Sequence, residues 1–280
     1  MQSLTLNNGV TMPLIGLGVF QMDDAQVAST VPRAIEIGYR LIDTASRYYN
    51  EQAVGAAIKA SGVARDELFI TTKLWFKDHG PKATREAFET SLRNLGLDYL
   101  DLWLVHQPFG DYYAAWRVME ELLVEGRVRA IGVSNFYPDR YLDLVTHLDV
   151  APAVNQRETH PFCQQTEIQE QMRPYGTVLQ AWGPLGQGNQ ELLSHPVLTG
   201  IAQAHGATVP QVMLAWLARR GVAMVAKSAS PQRLQANLAA VEIALTDQEL
   251  SAIATLERHQ PNAGFTHQDP RMLERLLTFA

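Results

Sequence analysis

Two observations predict an α/β fold, a parallel (β/α)8 TIM barrel: eight short β-rich runs alternate with longer segments whose apolar residues recur at helical spacing, and 280 residues suffice for such a barrel to form one domain. Before the first run, TLNNGVTM reads as a hairpin in which Asn8-Gly9 supplies the positive φ of a tight turn, placed to cap the barrel's bottom. The runs are LIGLG (14–18), RLID (40–43), LFITTK (68–73), YLDLWLVH (99–106), VRAIGVSN (128–135), APAVNQ (151–156), TVLQAW (177–182) and VAMVAKS (222–228). Between the third and fourth, PKATREAFETSLRNL puts Phe88, Leu92 and Leu95 on one helical face. YYAAWRVMEELL does the same for Trp116, Met119 and Leu123. After the eighth run, TDQELSAIATLER reads as an extra helix beginning near Thr246, and the tail PNAGFTHQDPRMLERLLTFA starts with turn formers and ends in a short amphipathic piece. No low-complexity linker or composition break divides the chain, so 1–280 is read as a single barrel domain.

Charge and motifs narrow the function. A formal charge of −6 without a Lys/Arg cluster argues against nucleic acid or an anionic membrane as partner and leaves a small molecule. The N-terminus MQSLTLNNGV has no basic segment leading into an apolar run, and nowhere do about eighteen apolar residues follow one another, so a soluble, cytoplasmic protein is expected. One cysteine, Cys163, cannot form an internal disulfide and reads as a structural thiol. The eight histidines, His79, His106, His147, His160, His195, His205, His259 and His267, show no ligand spacing, so no metal is expected. GVSNF is not the GxSxG of a serine hydrolase.

In barrels of this class the C-terminal strand ends form the active face, and here they are polar: Asp43, Lys73, His106, Ser134 with Asn135, Gln156, and Lys227 with Ser228. Asp43, Lys73 and His106 would converge from neighbouring strands, with Tyr48 or Tyr49 leaning in from the next loop. Tyrosine titrates near 10 and needs a stabilised phenolate to act as an acid, which a nearby lysine ammonium supplies. A buried lysine needs a carboxylate to stay charged, a role that suits Asp43. Histidine can orient a carbonyl oxygen and share its growing charge. The implied chemistry is carbonyl reduction, and since no side chain donates hydride a nicotinamide cofactor is required.

These residues resemble the aldo-keto reductase family. GYRLIDTASRYYNE is similar to its GYRxIDTAxxYxNE signature, LFITTKLW to its lysine motif and LVHQP to its histidine motif. AIGVSNF, AVNQRETHP, QAWGPLGQG and VAKSASPQRLQAN are similar to its nicotinamide and phosphate segments. The resemblance runs from hairpin to tail and implies a catalytic tetrad of Asp43, Tyr48, Lys73 and His106. It also accounts for the missing GxGxxG, which the family does not use. It implies that Ser134, Asn135 and Gln156 bind the nicotinamide carboxamide, that Trp182 stacks on the ring, that Gly183, Leu185, Gln187 and Asn237 belong to the cofactor segments, and that Lys227, Ser228 and Arg233 hold a ribose 2′-phosphate, favouring NADPH. Phe20, Trp75 and Phe109 are expected to line the substrate pocket with His106. AWGPLGQG is most similar to the bacterial reductases of 2,5-diketo-gluconate type, and a monomer is expected.

The chain departs from the family pattern at four places. Tyr49 replaces the glycine after the catalytic tyrosine, adding bulk expected to narrow the pocket, and Gln107 replaces a tryptophan, making the pocket wall more polar. Ala226 replaces a proline before the phosphate lysine, and Ala236 a glutamate that faces the adenine amino group. Two other functions fit parts of the pattern: a Schiff-base aldolase using Lys73, and a non-catalytic NADPH-binding subunit.

Overall fold

The computed structural model describes residues 2–262, 264 and 266–278. Ten strands are present among them: β1 (Ser3–Thr5), β2 (Thr11–Pro13), β3 (Ile15–Gly18), β4 (Leu41–Asp43), β5 (Phe69–Leu74), β6 (Leu100–Val105), β7 (Val128–Ser134), β8 (Val154–Glu158), β9 (Val178–Trp182) and β10 (Ala223–Ala226). β3 to β10 close into an all-parallel barrel in chain order, β10 pairing with β3. The eight expected runs correspond to these eight strands. The sixth is displaced: β8 starts at Val154, after Pro152, which has no N–H to give a ladder, and continues to Glu158. Gln156 is therefore inside that strand rather than at its end.

Leu41, Phe69, Leu102, Leu104, Ala130, Val154, Ala223 and Val225 fill the barrel interior, and Leu6 and Met12 of the hairpin region join the same cluster, so the hairpin closes the bottom as expected. Space inside is limiting. A Cβ on Gly132 would lie 2.5 Å from the Val154 carbonyl oxygen and 2.7 Å from Leu104 Cδ2. The larger apolar cluster lies between strands and outer helices. In the Pro81–Leu95 helix the predicted face of Phe88, Leu92 and Leu95 is buried, and in the Tyr112–Val124 helix Trp116 and Met119 are fully buried while Leu123 is partly so.

The extra helix runs Asp247–Ala254 with Thr246 as its N-cap in a capping box with Glu249. Of the tail, Ala263, Phe265, Phe279 and Ala280 lie outside the described residues. The rest crosses the barrel's upper end before the Pro270–Leu277 helix. The Asn262 amide donates to Glu158 Oε1 at 2.8 Å, the Gln268 amide to Asp139 Oδ1 at 2.6 Å, and the His267 ring packs edge-on against Trp182 with centroids 6.2 Å apart. Among the described residues no helix is long and apolar enough to cross a membrane.

Candidate active site

Asp43 ends β4, Lys73 is the penultimate residue of β5, and His106 follows β6, so three adjacent strands deliver three chemical groups to one point. Lys73 Nζ lies 2.5 Å from Asp43 Oδ1, 2.9 Å from the Thr44 carbonyl oxygen and 3.3 Å from the Tyr48 hydroxyl. The lysine is fully buried and Asp43 is 2% exposed. Tyr48, not Tyr49, faces this group.

The turn carrying Tyr48 is fastened from four sides. Ser46 Oγ donates to the Lys73 carbonyl at 2.9 Å, and Thr44 Oγ1 donates to Asn50 Oδ1 at 2.8 Å. Asn50 Nδ2 donates to the Val19 and Met22 carbonyls, while Glu51 accepts from Thr72 Oγ1 at 2.7 Å and Asn94 Nδ2 at 3.1 Å. The Asn-Glu pair of GYRLIDTASRYYNE is thus a clamp for the loop. Both residues are buried, 2% and 4% exposed, with their polar atoms satisfied inside the clamp.

Burial acts on all three titrating groups. It pushes the Tyr48 phenol up; the Lys73 charge and hydrogen bond oppose that push, and the Asp43 charge reinforces it. The net shift is upward, so the lysine offsets desolvation rather than making a free acid of the phenol. Burial also works against the Lys73 ammonium, but Asp43 and Tyr48 outweigh it and hold the amine charged. That is the reverse of what a Schiff-base nucleophile needs. His106 is pushed well below its ordinary value by burial, then by the charges of Lys73, His267 and Arg47, and so is a neutral imidazole at neutral pH. Its Nδ1 is buried without a hydrogen-bond partner among the described residues.

The pocket wall is aromatic. The Tyr48 ring has Phe20 at 4.9 Å on one side and His106 edge-on at 5.7 Å on the other, and Trp75 meets His106 at 5.3 Å. Phe109 stands farther back, in contact with Phe76 at 6.0 Å. Tyr49 does not narrow the pocket as its bulk suggested. Its backbone is left-handed (φ 56°), its ring is 69% exposed, and the Arg47 guanidinium carbon lies 4.5 Å from the ring centre.

The residues expected near a nicotinamide are tied to this centre. Asn135, also left-handed (φ 63°), donates to the His106 carbonyl oxygen at 3.1 Å and to Ser134 Oγ at 3.1 Å, and accepts from the Trp182 indole at 3.0 Å. Gln156 Nε2 donates to Asp43 Oδ2 and to Gln180 Oε1, each at 2.8 Å, and Gln180 Nε2 lies 4.0 Å from the Met12 sulfur. A polar column therefore runs down the barrel axis from Lys73 to the hairpin. Gly183 (φ 60°) and exposed Gln187 (φ 51°) shape the loop after β9, with Leu185 partly buried between them.

The last group of residues lies around the Pro231–Ala239 helix, whose N-cap is Ser230. Lys227 Nζ donates to the Gln21 carbonyl at 2.9 Å, Ser228 Oγ accepts from the Ser230 amide at 3.2 Å, and Asn237 is buried. Arg233 is exposed and makes no ion pair among the described residues. Two cations, neither neutralised by a carboxylate, thus flank a helix N-terminus, a donor set that fits a phosphate dianion. Among the described residues no three His, Cys, Asp or Glu side chains gather as a metal site.

Comparison with known proteins adds the following. Residues 14–258 match the model of the Aldo/keto reductase family. The chain is 44% identical over 265 residues to a glyoxal reductase of Bacillus subtilis, covering 93% of this chain and 95% of that protein. It is 43% identical over 268 residues to a morphine 6-dehydrogenase of Pseudomonas putida, covering 91% and 90%. It superposes on a Bombyx mori aldo-keto reductase crystallised with NADP at a TM-score of 0.87 and 32% identity, over 93% of this chain and 94% of that one.

Proposed function

Since the chain belongs to the aldo/keto reductase family, we propose that it is an NADPH-dependent oxidoreductase that reduces aldehydes or ketones to alcohols, with Tyr48 as the general acid. The observation that carries this is the Lys73 ammonium held between Asp43 and the Tyr48 hydroxyl, beside a neutral His106.

Bound NADPH would supply the hydride, which no side chain can. The chain's own groups do the rest. His106, kept neutral, donates a ring N–H to the substrate's carbonyl oxygen and orients it between Phe20 and Trp75. As charge grows on that oxygen, the Tyr48 hydroxyl transfers its proton there. Lys73 stabilises the phenolate left behind, and Asp43 keeps Lys73 protonated through the cycle. Ser134, Asn135 and the carboxamide oxygen of Gln156 would meet the nicotinamide amide, and Trp182, held by Asn135, would cover the ring. Gly183, Leu185 and Gln187 would border the phosphates, and Lys227, Ser228, Arg233 and Asn237 the adenosine end. The likeness of AWGPLGQG to the 2,5-diketo-gluconate type supports a polar carbonyl compound as substrate. We take the chain to act as a single-domain monomer in the cytoplasm.

A panel of aldehydes and ketones with NADPH oxidation followed optically is the test, run on wild type, Tyr48→Phe and Tyr49→Phe. Tyr48→Phe is expected to lower kcat by about 10²–10⁴-fold, the usual range for general acid catalysis, with NADPH affinity nearly unchanged. If wild type oxidised no NADPH with any carbonyl, the protein would be a binding subunit instead. If Tyr49→Phe were the inactive variant, the acid would be misplaced.

A further inference from the structure

We propose that His267, carried across the barrel's upper end by the tail, hydrogen-bonds a hydroxyl group of the substrate, so that the carbonyl compounds turned over best are hydroxy-aldehydes and hydroxy-ketones. This rests on the reading of Asp43, Tyr48, Lys73 and His106 as a reductase centre and specifies what that centre acts on.

Position comes first. The tail is fixed on both sides of His267. Before it, the Asn262 amide donates to Glu158 Oε1 at 2.8 Å. After it, the Gln268 side chain donates to Asp139 Oδ1 at 2.6 Å, the Asp269 amide donates to the Thr266 carbonyl at 3.1 Å, and Asp269 caps the Pro270–Leu277 helix. Between these anchors the His267 ring meets Trp182 edge-on. Asn135 accepts from the Trp182 indole and donates to the His106 carbonyl oxygen, so the tail's imidazole joins the side chains gathered around the catalytic histidine. The two imidazoles are close enough for a charge on His267 to disfavour a charge on His106.

The hydrogen-bonding capacity of this ring is unspent. Elsewhere in the chain His147 Nδ1 lies 2.7 Å from the Asp143 carbonyl oxygen, His160 Nε2 3.1 Å from Glu158 Oε1 and His205 Nε2 2.8 Å from Glu249 Oε1, while His195 Nδ1 accepts from the Val197 amide at 3.3 Å. Neither ring nitrogen of His267 has a hydrogen-bond partner among the described residues, although the residue is half-buried. Polar atoms in such a place call for a partner, and beside an aromatic wall of Phe20, Trp75 and Phe76 a substrate can bring one.

Charge decides what kind of partner. Burial, then the charge of Arg157, hold the His267 pKa down, at about 3. Arg157 is itself only 2% exposed; its Nη1 donates to the Phe136 carbonyl at 3.1 Å, its guanidinium carbon lies 3.7 Å from the centre of the Tyr137 ring, and it forms no ion pair among the described residues. His267 is therefore a neutral imidazole around neutral pH, with one nitrogen donating and the other accepting and no charge to draw a carboxylate. A hydroxyl both donates and accepts, so it satisfies whichever nitrogen faces it.

The test compares glyceraldehyde with pentanal, an aldehyde of equal heavy-atom count without hydroxyls, in wild type, His267→Phe and His267→Gln, all with NADPH. His267→Phe keeps an aromatic ring against Trp182 and removes both nitrogens. Its KM for glyceraldehyde should rise about three- to tenfold, roughly the worth of a neutral hydrogen bond, while its KM for pentanal stays level or falls. His267→Leu, a smaller apolar residue, should give the same split. His267→Gln, which restores a donor and an acceptor without the ring, should bring the glyceraldehyde KM most of the way back. A glyceraldehyde KM unchanged in the apolar variants, equal rises for both aldehydes, or a glutamine variant as impaired as the phenylalanine one would overturn the proposal. Wild type oxidising NADPH with neither aldehyde would instead refute the reductase reading itself.

Discussion

Replacing Lys73 with methionine separates what the lysine does for the fold from what it does for the reaction. Methionine keeps the length and packing of a fully buried side chain and removes the ammonium that touches Asp43 at 2.5 Å and Tyr48 at 3.3 Å. Asp43, 2% exposed, then keeps, among the described residues, Gln156 Nε2 at 2.8 Å as its side-chain donor. Stranding one partner of a buried pair costs roughly 3–5 kcal/mol, and the glutamine places this case near the low end. In a chain of this size that is a fall in Tm on the order of 10 °C. Removing the stranded charge as well, in Lys73→Met/Asp43→Asn, should recover most of the stability, since neutral groups of similar shape are cheap to bury. Turnover should not recover, because Tyr48 still faces a buried site with no cation; kcat in both variants should be down by about 10²–10⁴-fold. Thermal melts and NADPH oxidation on the same preparations give both quantities. A double variant that regains activity along with stability would show that the lysine serves only the fold. A single variant as stable as wild type would show that Asp43 does not depend on it.

Two further outcomes are expected. Arg233→Ala should raise the KM for NADPH roughly tenfold and leave NADH kinetics almost unchanged; parallel changes with both cofactors would remove Arg233 from the 2′-phosphate site. His79, whose pKa burial lowers from 6.5 to about 4, binds its proton more readily unfolded than folded. Its contribution to stability is therefore full above pH 6.5 and lost as pH falls toward 4, by about 2 kcal/mol once its partial exposure is allowed for. Denaturation of wild type and His79→Phe at pH 7 and 4.5 checks this, and equal losses in the two would refute it.

Strand order and the polar strand ends were legible because both follow from local pattern: period-2 and period-3.6 runs name the elements, and a parallel barrel sends every strand's C-terminal end to the same face. Asp43, Lys73 and His106 were found in that way. The choice between Tyr48 and Tyr49 was not available from chemistry, since both are phenols one residue apart, and needed the motif. The structure shows the physical basis: the left-handed turn at residue 49 sends that ring outward. Three further features were hidden because they depend on contacts far apart in sequence. They are the link from Asn135 to Trp182, the Glu51 clamp on Thr72 and Asn94, and the approach of His267 to Trp182. Gln156 reads as a strand end in the sequence because the run APAVNQ stops there, whereas the ladder starts beyond Pro152 and continues through Arg157 to Glu158, whose charged side chains are both buried.

The column of amides beneath the site has a direction. Asp43 can only accept, so it obliges Gln156 to present its nitrogen upward; that nitrogen also donates to Gln180, which turns the Gln180 oxygen toward it and its own nitrogen down to Met12. One carboxylate at the top thus polarises two side chains below it, as a magnet aligns needles. The barrel's interior carries the sign of its active face as far as the plug at its base, and a neutral residue at position 43 would free both amides to turn.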